Sequence, residues 1–209
     1  MKSVQQILKI ERQSSIWEQI FLKKGEQILI IFGNKRRGQK MVEPDKTKEM
    51  AERYADKNHR FRIFLKNNAD PKKLDEHFHR LHNEIFHRDD YDCCKCNNCC
   101  KSYDIRIVQG DIAAICGYLG MAENDFAEKY LVASKNEYNC LILKDKPCCF
   151  LGADGKCRIY ECRPAVCREY PHTNKQDRLY SMLSILSFTE DCPVVFEIIE
   201  RLKKIYNFR

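Results

Sequence analysis

Cys93-Cys94-Lys95-Cys96-Asn97-Asn98-Cys99-Cys100 is the stretch from which the rest of the chain is best read. Its pattern is C-x2-C-x2-C-C. Two-residue gaps let side chains converge on one point while the backbone turns between them, which is how thiolates gather round a soft metal. The chain of 209 residues holds thirteen cysteines, none of them before Cys93. An odd number cannot be fully paired internally. There is no clean apolar run with a small-residue cleavage site at the N-terminus, so no signal peptide is expected. No apolar run reaches the length of about 18 residues that a membrane span requires. The thiols are therefore expected in a reducing, cytoplasmic setting, where a dense cysteine block reads as metal-binding or redox-active rather than as a disulfide framework.

Charge is unevenly placed. Residues 1–40 carry nine basic and three acidic side chains, so +6 of the formal +7 lies there and +1 remains for residues 41–209. A basic footprint for nucleic acid is confined to the first forty residues and absent around the cysteines, so nucleic acid is not expected as a partner. Residues 1–40 read either as a basic extension with Met41 as the usual start, or as an amphipathic helix (Val4, Ile7, Leu8, Trp17, Ile20, Phe21) followed by a strand over Ile28–Phe32.

Beyond Met41 the pattern is mostly helical. Residues 45–68 read as a charged helix. Asp70-Pro71 restarts a helix with Asp as N-cap and Pro at the first helical position. Leu74, Phe78, Leu81 and Ile85 follow at helical spacing as a packing seam. Of the histidines there, only His79/His82 has ligand spacing, and His82 flanks the seam; these are read as surface or seam-edge residues. Strands are expected at Ile105–Val108 and Cys140–Leu143, and short helices after Gly110-Asp111 and from Asn124. The apolar, serine-interleaved run Leu179–Phe188 reads as a strand. Cys192-Pro193 opens a last helix. The expected fold class is α+β, predominantly helical, with a small irregular cysteine-rich metal-binding core and short strands, flanked by helices. Its parts are a 1–40 extension, a 41–92 helical segment, a 93–192 cysteine-cluster domain, and a 193–209 helix packing on that domain.

A second cysteine-rich stretch runs Pro147-Cys148-Cys149-Phe150-Leu151, Gly155-Lys156-Cys157-Arg158-Ile159-Tyr160 and Arg163-Pro164-Ala165-Val166-Cys167-Arg168. Together with the first block and a late cysteine, it resembles the YkgJ-type CxxCxxCC cysteine-cluster proteins, described as zinc- or iron-chelating. The resemblance runs from Cys93 to about Cys192. It implies eight ligands: Cys93, Cys96, Cys99, Cys100, Cys149, Cys157, Cys167 and Cys192. Cys94, Cys116, Cys140, Cys148 and Cys162 fall outside it. Asn97 stands where many members have glycine, and Asn tolerates the left-handed conformation well.

The implied cofactor is zinc or iron, with an iron–sulfur cluster included. Cys99 and Cys100 are adjacent and point apart, so the block serves either two centres or one multinuclear centre. Lys101, Arg158, Arg163 and Arg168 would offset its negative charge. Two other readings stay open. One is an iron–sulfur enzyme related to the flagellin lysine N-methylases, which resemble this family in their cysteine cluster. The other is a zinc-ribbon-like nucleic-acid module, against which the near-neutral charge of residues 41–209 weighs. The metal ion is the one partner expected from the sequence.

Overall fold

A computed structural model describes residues 20–24, 27–31, 41–88, 91–138 and 140–209. The chain divides into two compact units, residues 1–40 and 41–209. In the first, β1 (Ile20–Lys24) pairs antiparallel with β2 (Gln27–Ile31), Ile20 opposite Ile31. The strand expected from Ile28 is thus present. Ile20 and Phe21, expected on an amphipathic helix, lie instead on β1, opposite Ile31 and Ile30 of β2. The remainder of that helix expectation lies outside the described residues.

The second unit begins with two long helices, α1 (Thr47–Asn68) and α2 (Pro71–Phe86). Asp70 caps α2 as its sequence predicts, accepting a hydrogen bond from the Lys73 amide at 2.9 Å, and Pro71 occupies the first position. Leu74, Phe78, Leu81 and Ile85 are all buried. The cysteine block forms two single-turn helices, α3 (Cys93–Cys96) and α4 (Asn98–Ser102). Strand β3 (Arg106–Ile107), helices α5 (Gln109–Leu119) and α6 (Glu123–Tyr130), and strands β4 (Leu131–Ala133) and β5 (Leu141–Leu143) follow. The three strands make an antiparallel sheet ordered β3–β5–β4. The chain ends through α7 (Ala165–Glu169), α8 (Met182–Ser187) and α9 (Pro193–Ile205).

The strand expected over Leu179–Phe188 is a helix. Met182 and Ile185 are buried three residues apart, and a 3-10 turn over Phe188–Glu190 continues the coil. The serines recur every third position rather than every second, so the apolar face has helical period.

Two apolar clusters result. A helical core joins α1, α2, α8 and α9 around Phe61, Phe78, Ile85, Met182 and Ile198, and it includes Cys192. A smaller sheet core joins the strands to α5 and α6 around Ile115, Phe126, Leu143, Phe150 and Ile159; Cys148, Cys149, Cys157 and Cys167 pack against it. Helix α9 packs on α2, α1 and the 188–190 turn. Its Lys203 is 3 % exposed and is held by Asn58 Oδ1 at 2.6 Å and Glu200 Oε1 at 2.5 Å, which satisfies a charge that burial alone would penalise.

Candidate metal centre

The cysteine block is shaped by its capping chemistry. The Asp92 carboxylate accepts the Cys94 amide at 2.9 Å and starts α3. Asn97 ends it in the left-handed region (φ 56°), and its side-chain amide donates to the Cys94 carbonyl at 2.7 Å. The chain then reverses at once into α4. Asn98 ties the block to the lead-in of α1 by donating to the Pro44 carbonyl at 2.7 Å. Asn97 thus supplies both the left-handed turn and a side-chain clasp.

The second stretch folds back onto the first. The Cys148 amide donates to the Cys100 carbonyl at 2.8 Å. A short antiparallel bridge pairs Leu151 with Cys157, and the Arg158 amide donates to the Phe150 carbonyl at 2.8 Å. Gly155, at φ 78°, brings this loop against the block. A β-carbon there would stand 2.5 Å from the Cys94 carbonyl oxygen. Helix α7 carries Cys167, and its start is fixed by Asp111. That buried carboxylate accepts the Ala165 amide at 2.9 Å and the Val108 amide at 3.2 Å. Cys192 is buried at the N-cap of α9.

These segments enclose a cavity of about 420 Å³. Its wall includes Cys93, Cys96, Cys99, Cys100, Cys157, Cys167 and Cys192, seven of the eight expected ligands. The eighth, Cys149, does not line it; its neighbour Cys148 does, as does Cys94. The hydrogen bond from the Cys148 amide to Cys100 directs Cys148 inward, a long-range tie that local sequence does not display. Cys116 is buried in the sheet core, and neither Cys140 nor Cys162 lines the cavity. The thirteen cysteines are all free thiols.

Sulfur-to-sulfur hydrogen bonds order the thiols into donors and acceptors. The Cys99 thiol bonding to Cys93 brings Cys93 down to about 6, with burial opposing and the Tyr91 phenol assisting. Cys100 is lowered by its bond with the same Cys99 thiol. Cys148 falls to about 7 through its bond with Cys149. Cys99 and Cys149, the donors, are pushed up correspondingly. Burial raises Cys167 and Cys192 to about 12 each; for Cys192 the amides of Val195 and Val194 at the α9 N-terminus pull the other way. Binding a cation would release these shared protons.

The surroundings hold both aromatic and cationic side chains. Phe86, Tyr91, Tyr103, Tyr170 and Phe188 line the cavity. Tyr103 and Tyr170 meet edge to face at 5.2 Å between ring centres, their hydroxyls 3.3 Å apart. Burial pushes all three phenols up, so they stay protonated and able to donate. Arg163 lies 3.7 Å over the Tyr160 ring and lowers Cys93, Cys100 and Cys157 by its charge. Arg168 donates to the Arg163 carbonyl and Arg158 to that of Cys149. Lys101 exerts the same kind of pull on Cys96.

Of the histidines, His172 lines the cavity. His82 is buried, stacked on Phe86, and its Nδ1 meets Thr173 Oγ1 at 2.7 Å.

Among the described residues no group of three or more His, Cys, Asp or Glu side chains stands closed round one point for a metal ion. The donor set nevertheless fits one in chemistry. Free thiols from distant segments share one cavity with the Arg163 guanidinium, and thiolates select zinc, copper(I) and iron–sulfur species over harder ions.

Comparison with known proteins agrees. Residues 92–193 match the model of the CxxCxxCC family, described as "Putative zinc- or iron-chelating domain". The chain is also 31% identical over 84 residues to an uncharacterized protein of Methanocaldococcus jannaschii, a match covering 40% of this chain and 45% of that protein. The chain thus spans under half the length of that relative. No solved structure matches.

Proposed function

We propose that this chain is a thiolate metal-binding protein in which cysteines from the 93–100, 148–167 and 192 segments hold zinc or iron, the metal joining parts of the fold that are distant in sequence. The observation carrying this reading is that nine cysteines spanning about a hundred residues of chain line one cavity, Cys94 and Cys148 among them. The cysteine-cluster domain is residues 93–192, with residues 41–92 and 193–209 supporting it as helices. Because the ligands come from separate segments, the binding free energy would also be folding free energy. Thirteen free thiols suit a reducing compartment such as the cytoplasm, and no helix among the described residues is long and apolar enough to cross a membrane.

Anaerobic purification with metal analysis and a visible spectrum tests the proposal. Bound zinc in a colourless protein, or iron in a brown one, supports it. Chelation should then lower the unfolding temperature and loosen residues 93–192. Protein that carries no thiophilic metal, and takes none up when supplied, refutes it. A second reading, an iron–sulfur enzyme, draws on the size of the cavity. About 420 Å³ lies in the range that accepts a small molecule, and it has an aromatic wall beside the thiols. A cluster absorbance that bleaches on reduction would favour that reading.

A further inference from the structure

Of the six histidines, His172 alone lines the cavity among the described residues, and the chain around it is built to hold it there. Its backbone stands at φ 60°, a left-handed conformation that a residue with a β-carbon keeps only where its surroundings impose it. The His172 amide donates to the Glu169 carbonyl at 2.8 Å. Its own carbonyl accepts Arg178 Nη1 at 2.6 Å, and the Arg178 side chain, itself buried, also donates from Nε to the Gln176 carbonyl at 2.9 Å. The next residue, Thr173, is fully buried, with Oγ1 2.7 Å from Nδ1 of His82 on α2. At the far end of the loop, the carboxylate of Asp75 on α2 accepts the amides of Asp177 and Arg178 at 2.8 and 2.9 Å. The loop is thus tied to α2 on both sides of its turn.

The imidazole rests against the rings of Tyr170 and Phe188, which are also on the cavity wall, at 6.2 and 6.3 Å between centres. Its Nδ1 faces the Glu169 carboxylate at 3.9 Å, and Lys175 Nζ holds the same carboxylate oxygen at 3.0 Å. A metal-bound histidine characteristically gives its second ring N–H to a carboxylate or carbonyl, which fixes the tautomer and aims the other nitrogen. Here the carboxylate stands on the Nδ1 side, so Nε2 is the nitrogen left for an ion. Packing against Tyr170 and Phe188 needs only an apolar ring. The left-handed backbone, the buried clasp and the facing carboxylate are accounted for by a nitrogen that must be placed.

We propose that His172 is a nitrogen ligand, through Nε2, of the metal ion held in this cavity, with Glu169 as the residue that orients it. This rests on the thiolate reading above. It adds a donor from a stretch, residues 170–178, that contains no cysteine. Three thiolates and one imidazole complete a tetrahedral zinc shell. The ion is then tied to α2 through the His172 loop as well as to the cysteine segments.

NMR of the imidazoles tests this in the full chain, carrying isotope-labelled histidine, prepared anaerobically without metal and then loaded with zinc or with spin-active cadmium. Zinc is expected to fix His172 in its Nδ1–H tautomer, and cadmium to couple to His172 Nε2 and to no other histidine. Chelator competition should show zinc bound about 10–100-fold more weakly in Glu169→Gln, and more weakly still in His172→Asn. Asparagine accepts the left-handed backbone, so the metal-free unfolding temperature of His172→Asn should equal that of the wild type. The cadmium coupling is read in the wild type and assigned through its backbone, so it decides even where a variant folds poorly. Metal bound with no coupling to His172, or coupled to a different histidine, overturns the assignment and leaves the thiolate reading intact. Wild-type affinity in His172→Asn overturns it equally, and wild-type affinity in Glu169→Gln removes the orienting role. Protein that takes up neither zinc nor cadmium refutes the thiolate reading and this ligand with it.

Discussion

Replacing Gly155 with alanine probes the seam between the two cysteine-rich stretches at its tightest point. The new β-carbon would lie 2.5 Å from the Cys94 carbonyl oxygen and 2.8 Å from Asn97 Nδ2, on a residue held at φ 78°. The left-handed conformation costs a non-glycine residue about 1–2 kcal/mol. Backing the Cys94 carbonyl away from the methyl breaks its 2.7 Å bond from Asn97, worth about 1 kcal/mol. Together the loss is about 2–3 kcal/mol, or roughly 4–12 °C in unfolding temperature for a unit of this size. The displaced carbonyl lies between Cys93 and Cys96, so metal affinity should fall as well. Thermal unfolding followed by circular dichroism, with and without added zinc, is the assay. Gly117→Ala is the control. Gly117 lies exposed on α5 with nothing within 4 Å of a β-carbon, and there alanine should stabilise by about 0.5–1 kcal/mol. An unfolding temperature for Gly155→Ala equal to or above wild type would refute the close-approach argument.

Three further outcomes are expected. Phe61→Ala empties a fully buried site packed on Phe64, Tyr206 and Phe208, and should cost about 3–5 kcal/mol in denaturant titration. Asp70→Ala removes the α2 cap and should cost about 1 kcal/mol by the same measurement. His82 is lowered from 6.5 by burial, then by its neighbours His87 and His79. Its unfolded form therefore binds a proton first, so its contribution is complete above about pH 6.5 and is lost as pH falls through the folded value. Stability of His82→Gln measured from pH 7.5 to 5 should accordingly show a shallower acid-side decline than wild type, by at most about 1.4 kcal/mol per pH unit. An unchanged slope would place the titration elsewhere, with His172 the next group lowered by burial.

The elements whose signals are local were legible from sequence. Asp70-Pro71 announced its helix start, the Leu74–Ile85 seam its buried face, and the predominantly helical α+β class followed from such segments. The Leu179–Phe188 run was misread because serine interleaving imitates alternation, whereas the spacing of Met182, Ile185 and Phe188 is helical. At the site, the C-x2-C-x2-C-C block stood out by its spacing and Cys157, Cys167 and Cys192 through the family resemblance; the structure brings them to one cavity. That Cys148 rather than Cys149 lines this cavity was not legible, since it depends on how two adjacent side chains face and on a backbone bond from Cys148 to Cys100. Tyr91, Tyr103 and Tyr170 lay hidden for the same reason: sequence spacing does not connect Tyr103 to Tyr170, which touch across 67 positions.

The lateness of Cys192 has a consequence in time. During synthesis the chain emerges at roughly 5–20 residues per second, so the 93 residues from Cys99 to Cys192 take on the order of 5–20 s. Throughout that interval Cys93, Cys96 and Cys99 stand together with one neighbour still unmade. Cys167 is made some 25 residues earlier, and by then the other eight cysteines of the cavity wall all exist. The nascent chain thus passes through a stage in which the last of those cysteines, and the helix it caps, are still missing.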